Sequence, residues 1–244
     1  MLNINFAGKT NIGLKRSANE DTFIIKGELG FCLVADGLGG AAVGELASRF
    51  FSDATLDVFK QDTDMKENKV IERIQNSFRL ANERIRDHGM RNPSHKGMGC
   101  TAELMAFSDQ GFVIGHLGDS RTYRFRNGLL KQLTHDHSFI QEQIDKGLIA
   151  EENARRHPLR NVILKAVGIN ESLELDLIRG RTYPEDQFLL CSDGLTDMVE
   201  DISIDKVFKS TIPAHKKVDQ LIELALSGGG KDNVTVVLID IKES

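Results

Sequence analysis

The sequence has little of several things, and each shortage narrows its class. Four prolines are scattered over 244 residues, with no proline-rich or low-complexity stretch and no internal repeat. Nothing marks a linker, so one continuous domain over 1–244 is expected. The three cysteines, Cys32, Cys100 and Cys191, are an odd number, lie in or beside apolar runs and lack C-x-x-C spacing. That argues against a disulfide framework and a thiolate zinc site, and predicts buried, reduced thiols. There is no excess of positive charge: the net charge of −5 argues against an electrostatic nucleic-acid binder. No apolar run approaches membrane-spanning length, and the first residues lack a signal-peptide pattern. A cytoplasmic protein without membrane contact is the expectation.

What is present is a chain with 40% apolar and 27% charged residues, enough to bury a sizeable core in one large domain. Apolar or alternating runs predict strands at 22–25, 31–35, 101–107, 111–117, 121–125, 129–133, 187–191 and 234–241. Asn127-Gly128, between Tyr123-Arg124-Phe125 and Leu129-Leu130, is the strongest hairpin signal. Helical spacing of Val43, Leu46, Ala47, Phe50, Ala54 and Val58 predicts a helix over 43–60. Further helices are expected at 68–88, 138–146 and 218–226, the third with Ser138 as a possible N-cap. Strands gather into hairpins and helices follow one another in pairs. That pattern is α+β: antiparallel sheets covered by helices.

The strands end in a repeated way. Val34-Ala35-Asp36-Gly37-Leu38-Gly39-Gly40 closes one apolar run with an acid and glycines, and Cys191-Ser192-Asp193-Gly194 closes another. A third run ends in Leu117-Gly118-Asp119-Ser120, and Gly228-Gly229-Gly230-Lys231-Asp232-Asn233 precedes the last apolar strand. Any one of these pairs is an ordinary turn signal. Four of them, each against a strongly apolar strand, point to carboxylates converging at strand ends, a hard oxygen site suited to Mg²⁺ or Mn²⁺. Gly37-Leu38-Gly39-Gly40-Ala41-Ala42 also matches the dinucleotide fingerprint G-x-G-x-x-A. Asp36 would repel a pyrophosphate there, and two successive helices do not build the strand–helix–strand unit that this motif needs.

Further stretches carry a family resemblance: Arg16-Ser17-Ala18-Asn19-Glu20-Asp21, Gly99-Cys100-Thr101, Gly118-Asp119-Ser120-Arg121, Leu133-Thr134-His135-Asp136-His137-Ser138, Ser192-Asp193-Gly194-Leu195 and Asp232-Asn233-Val234-Thr235. Together with the Asp36 motif, in this order, they resemble the metal-dependent protein serine/threonine phosphatases of type 2C in their compact bacterial form. The resemblance spans nearly the whole chain. It implies two antiparallel sheets packed as a central sandwich with helices on both outer faces. It implies two or three Mn²⁺ or Mg²⁺ ions: Asp36 bridging two, Gly37 offering its carbonyl to one, Asp193 and Asp232 holding the other, and Asp119 a third. Asp21 would act through water, and Arg16 would grip the substrate phosphate, since a guanidinium fork matches phosphate oxygens.

The implied reaction is hydrolysis of phosphoserine or phosphothreonine by direct attack of a water bridging two metals. The implied partners are phosphoproteins made by a serine/threonine kinase in a signalling role, met by a monomer. The alternative is a pseudophosphatase that binds phosphoproteins without turnover; such relatives lose metal carboxylates, which this chain keeps. Leu38 and Ala41 stand where relatives carry a histidine, which leaves the proton for the leaving group to a water or to a histidine such as His137. A flap is implied at about 137–168, with the basic cluster Arg155-Arg156-His157-Pro158-Leu159-Arg160-Asn161 read either as a solvated loop or as a contact for substrate. His116, inside an apolar strand, reads as a core residue with hydrogen-bond partners rather than a ligand.

Overall fold

The computed structural model describes residues 3–155 and 157–243, with only the backbone described at Ala41 and Ala42. In chain order the strands are β1 (Asn3–Asn11), β2 (Thr22–Lys26), β3 (Phe31–Ala35), β4 (Gly37–Leu38), β5 (Gly99–Cys100), β6 (Ala102–Ser108), β7 (Gly111–Leu117), β8 (Arg121–Arg126), β9 (Leu129–Gln132), β10 (Asp176–Gly180), β11 (Gln187–Cys191) and β12 (Val234–Lys242). The helices are α1 (Ala41–Gln61), α2 (Glu67–Arg91), α3 (Phe139–Asp145), α4 (Glu151–Ala154), α5 (Asp193–Thr196), α6 (Asp201–Lys209) and α7 (Ala214–Ser227).

Two five-stranded antiparallel sheets, ordered β1-β12-β11-β8-β9 and β10-β7-β6-β3-β2, pack face to face. Their central strands, β3 and β12 above all, read as largely apolar runs because helices cover both outer faces, so alternate side chains are buried on opposite sides. In β3, Cys32 and Val34 meet the other sheet, whereas Phe31, Leu33 and Ala35 pack under α1 and α2. In β12, Val237, Ile239 and Ile241 turn inward, and Val234, Val236 and Leu238 meet α5, α6 and α7. The rings of Phe112 and Phe188 cross between the sheets at 5.0 Å, edge to face. The sandwich expected from the sequence is the one observed, and all three cysteines are buried.

Strands 31–35, 111–117 and 187–191 fall where the sequence predicts them. Asn127 (φ 51°) and Gly128 (φ 76°) are both left-handed, as a two-residue hairpin turn requires, and Arg126 pairs with Leu129 across it. Ser138 caps α3 by accepting from the Gln141 N–H at 3.2 Å. The sequence gives no warning of β1, β10, α4, α5 or α6. β1 and β10 are sheet edges with mixed exposure, so their pattern is diluted. α1 leads straight into α2 with no strand between them, so no dinucleotide-binding unit forms at Gly37. Among the described residues no helix is long and apolar enough to cross a membrane.

The inter-sheet layer sets the alignment of the strand ends. Phe188→Ala is expected to cost about 3–5 kcal/mol of stability, through lost burial and a cavity. Urea unfolding checks this; a loss under about 1 kcal/mol would show that the sheets do not depend on this contact.

Candidate metal centre

β3 runs out of the core at Asp36, and the backbone there is pinned to the start of β6. The Asp36 N–H donates to Thr101 Oγ1 at 3.1 Å, and its carbonyl accepts from the Thr101 N–H at 2.9 Å. Thr101 Oγ1 also bonds Ser120 Oγ at 2.7 Å, which ties in the turn that carries Asp119. The glycine after Asp36 is a packing requirement: a Cβ on Gly37 would overlap the Gly44 carbonyl in the first turn of α1. Gly194 is constrained in the same way, because a Cβ there would overlap the carbonyl of Asn233. The Asp193 loop and the Asp232 turn are thereby in contact.

Asn233 is the clamp of this end of the sandwich. Its Nδ2 donates to the carbonyls of Ile12 and Ala18, both at 2.9 Å, and its Oδ1 accepts from the Glu20 N–H at 2.8 Å. The segment that carries Arg16 and Asp21 is thus fastened beside Asp232. Asp21 Oδ2 accepts from Ser192 Oγ at 2.8 Å.

The result is a crowd of like charges. Burial, then the charges of Asp21, Asp193, Asp119 and Asp232, push the Asp36 carboxyl well above the usual carboxylate range. Asp193 is raised well above that range too, by burial and then by Asp119, Asp197, Asp232 and Asp21. Burial lifts Asp21 to about 6, opposed by hydrogen bonds from Thr235 and Ser192. Asp119 is pushed up to about 7 by burial and then by Asp136. Oδ1 of Asp21, of Asp119 and of Asp193 are buried with no hydrogen-bond partner. Buried carboxylate oxygens left unpaired are costly unless a cation meets them. The donor set is all oxygen, so the residues fit Mg²⁺ or Mn²⁺.

Asp232 is engaged differently. Its Oδ2 accepts from Arg16 Nη2 at 2.6 Å and its Oδ1 from the Asn233 N–H at 2.8 Å. The expected phosphate-gripping cation therefore sits on an expected metal ligand, at the edge of the cluster. Among the described residues no group of three or more His, Cys, Asp or Glu side chains is placed so that it could hold a metal ion without adjustment. A groove of about 1280 Å³ lies at the opposite end of the sandwich near Phe125, Tyr183 and Lys242, and holds none of these acids.

The histidines are placed elsewhere. His116 is buried, bonded to Glu103 through Nδ1 and to the His135 carbonyl through Nε2 at 2.8 Å, as a satisfied core residue should be. His137 Nδ1 accepts from the Gly118 N–H at 3.2 Å, and its Nε2 faces Asp176 at 3.4 Å. Its ring nitrogens thus face Gly118 and Asp176. Of the two positions that lack the relatives' histidine, Leu38 lies in β4 and Ala41 has its side chain outside the described residues. In the basic cluster Arg156 lies outside them as well. Arg155 donates to the Val199 carbonyl at 3.2 Å and Arg160 pairs with Asp197 at 3.6 Å, so these two touch the segment after α5 while staying partly in solvent. Asp136 is more than a loop residue, since it takes the Arg121 fork at 2.7–3.0 Å. Sequence reasoning gave no role to Thr101 and Asn233, although both stand in stretches that carry the family resemblance, and it missed Asp197, which nothing local distinguishes from a turn residue.

The crowding sets a pH dependence. A carboxyl whose folded pKa is raised holds its proton in the folded state while the unfolded chain has lost it, so stability falls as pH rises. For Asp21 and Asp119 that window runs from the ordinary Asp value to about 6 and about 7. In chelator, Tm is expected to fall from pH 5 to pH 8, and Asp119→Asn should flatten part of that slope. Added Mn²⁺ should restore Tm at pH 8. A Tm that rises across this range, or an Asp119→Asn slope equal to wild type, would contradict the crowding.

Relatives share this arrangement of chain. The protein phosphatase 2C family model matches residues 15–225. The serine/threonine phosphatase stp of Listeria monocytogenes is 35% identical over 236 residues, covering 95% of this chain and 94% of that one. The crystal structure of the Mycobacterium tuberculosis serine/threonine phosphatase PstP/Ppp superposes with a TM-score of 0.91 at 35% identity, over 98% of this chain and 99% of that chain. A structure of the PstP catalytic domain in complex with two manganese ions superposes with a TM-score of 0.89 at 33% identity, over the full length of both chains. On the family model, the identity and the shared fold together, the chain belongs to the protein phosphatase 2C family.

Proposed function

We propose that this chain is a serine/threonine phosphoprotein phosphatase in which Asp36, Gly37, Asp193 and Asp232 hold two Mn²⁺ or Mg²⁺ ions and Asp119 holds a third. The observation that carries the assignment is the set of buried, unpartnered Oδ1 atoms of Asp21, Asp119 and Asp193, gathered around Asp36 at the ends of strands from both sheets. The relatives are named as serine/threonine phosphatases, and one is described with two manganese ions. No observation favours a pseudophosphatase: the acids whose loss would mark one are present.

When bound, the ions supply Lewis-acid charge at the phosphoryl oxygens and lower the pKa of the attacking water. The chain's own groups do the rest. Arg16, with its side chain half exposed at the edge of the cluster, presents a planar guanidinium that pairs two phosphate oxygens. Its pKa is raised by the Asp232 hydrogen bond, so it stays cationic. Asp21, fixed by Ser192, orients water beside Asp36. The segment from about 137 to 168, rooted where Leu164 N–H donates to the His137 carbonyl at 2.7 Å and Val167 pairs with Cys100, flanks the centre as a flap. In this reading residues 1–244 form one catalytic domain. It acts as a monomer in the cytoplasm of a bacterium, in signalling, on the products of a serine/threonine kinase.

The test is Mn²⁺-dependent hydrolysis of p-nitrophenyl phosphate and of a phosphothreonine peptide. Asp193→Asn and Asp232→Asn are each expected to abolish turnover while keeping the circular dichroism of the fold. Near wild-type activity of either variant in saturating Mn²⁺ would remove that residue from the centre. Arg16→Ala should raise KM for the phosphopeptide with little change in metal affinity, at a cost of about 2–5 kcal/mol if the contact is desolvated in the complex. Unchanged kinetics would reduce Arg16 to a surface cation.

A further inference from the structure

The peptide groups on both sides of Gly118, just before Asp119, are held by one residue. Gly118, at φ 121°, leaves the sheet after β7, and a Cβ there would overlap Thr101. Its N–H donates to His137 Nδ1 at 3.2 Å, and its carbonyl accepts from the His137 N–H at 2.7 Å. A backbone N–H can only donate, so Nδ1 carries no proton, and one residue clasps both sides of the Gly118 unit. The ring cannot turn away. It stacks on His116 at 4.7 Å between centroids, and Asp176 stands at 3.4 Å from Nε2. His116 is itself fixed by Glu103 and by the His135 carbonyl, and Glu103 also accepts from Thr122 Oγ1 at 2.6 Å.

The same residue is the root of the flap. The His137 carbonyl accepts from Leu164 N–H at 2.7 Å, Phe139 N–H donates to the Val162 carbonyl at 2.8 Å, and Ser138 bridges Ile163. Farther out, Arg160 pairs with Asp197, whose charge also acts on Asp119. We infer that His137 is a positioning residue that locks the Gly118–Asp119 turn to the root of the 139–163 segment, so that the flap and the rim carboxylate Asp119 move as one unit. The inference rests on the reading that Asp119 holds the third ion.

The experiment is Mn²⁺ titration by calorimetry of the full chain, alongside tryptic cleavage at Arg155 and Arg160 with and without Mn²⁺. Asp119→Ala tests the underlying reading: it should lose the weakest ion alone, and retention of that ion would overturn the reading and the inference with it. His137→Leu should weaken that ion about 10-fold and leave the other two within about twofold, the size expected when a group supporting a ligand is lost. In wild type Mn²⁺ is expected to slow tryptic cleavage, and His137→Leu should abolish that slowing; a wild type cleaved equally fast with and without Mn²⁺ would overturn the inference. His137→Asn, whose Oδ1 takes the place of Nδ1, should restore both. If Asp119→Ala loses the ion but His137→Leu binds it as wild type does, the inference fails and the reading stands. If His137→Asn is as impaired as His137→Leu, the ring acts by bulk and the clasp has no role. Should His137→Leu not fold, His137→Phe keeps the stack and removes only the nitrogens.

Discussion

The mutual repulsion of Asp21, Asp36, Asp119 and Asp193 is the constraint around which this protein is built. Each carboxyl is raised by burial and by its neighbours, so the cluster works against the folded state unless cations neutralise it. Something stronger must hold the acids together, and the sandwich supplies it. Asp36 and Asp119 follow β3 and β7 of one sheet; Asp193 follows β11 and Asp232 precedes β12 of the other. The centre therefore straddles the edge between the sheets, and the apolar layer of Val34, Ile114, Phe188, Leu190 and Val237 fixes the two halves against each other.

Close backbone approach completes the alignment. Gly37 against Gly44 and Gly194 against Asn233 leave no room for side chains, so the loops carrying Asp36 and Asp193 are set by contact rather than by flexibility. Asn233 adds hydrogen bonds to residues 12, 18 and 20, which joins the Arg16 segment to the same frame. A site made from strand ends and clamped turns holds its geometry better than one carried on free loops.

Behind the rim lies a second polar group, Glu103 with His116, at zero exposure. Burial pulls His116 down, but the charge and hydrogen bond of Glu103 outweigh it and lift the imidazole to about 9. Against it, burial and then His116 lower His137 to about 4. A buried pair of this kind is weak as a source of stability compared with apolar packing. Its contacts run to Thr122 in the opposite sheet and to the His135 carbonyl, so its effect is to fix where the chain leaves the sandwich for the flap.

The sequence by itself determined the central strands and most of the acids. Runs such as 31–35 and 188–191 are apolar at every position because both faces are buried, and that signal survives without any partner in view. Asp36, Asp119, Asp193 and Asp232 are legible because an acid hard against such a run is costly unless it has a purpose. Arg16 and Asp21 were legible only through family resemblance, since their own neighbourhood is an ordinary polar loop. Only the tertiary structure decided that Arg16 sits on Asp232, that Ser192 reaches Asp21 across 171 positions of chain, and that His137 turns to Gly118 instead of the acids. It likewise decided β1 and β10, whose mixed edge patterns gain meaning only from the strands beside them. Local periodicity records which side of an element is buried; it holds no record of which distant residue arrives there.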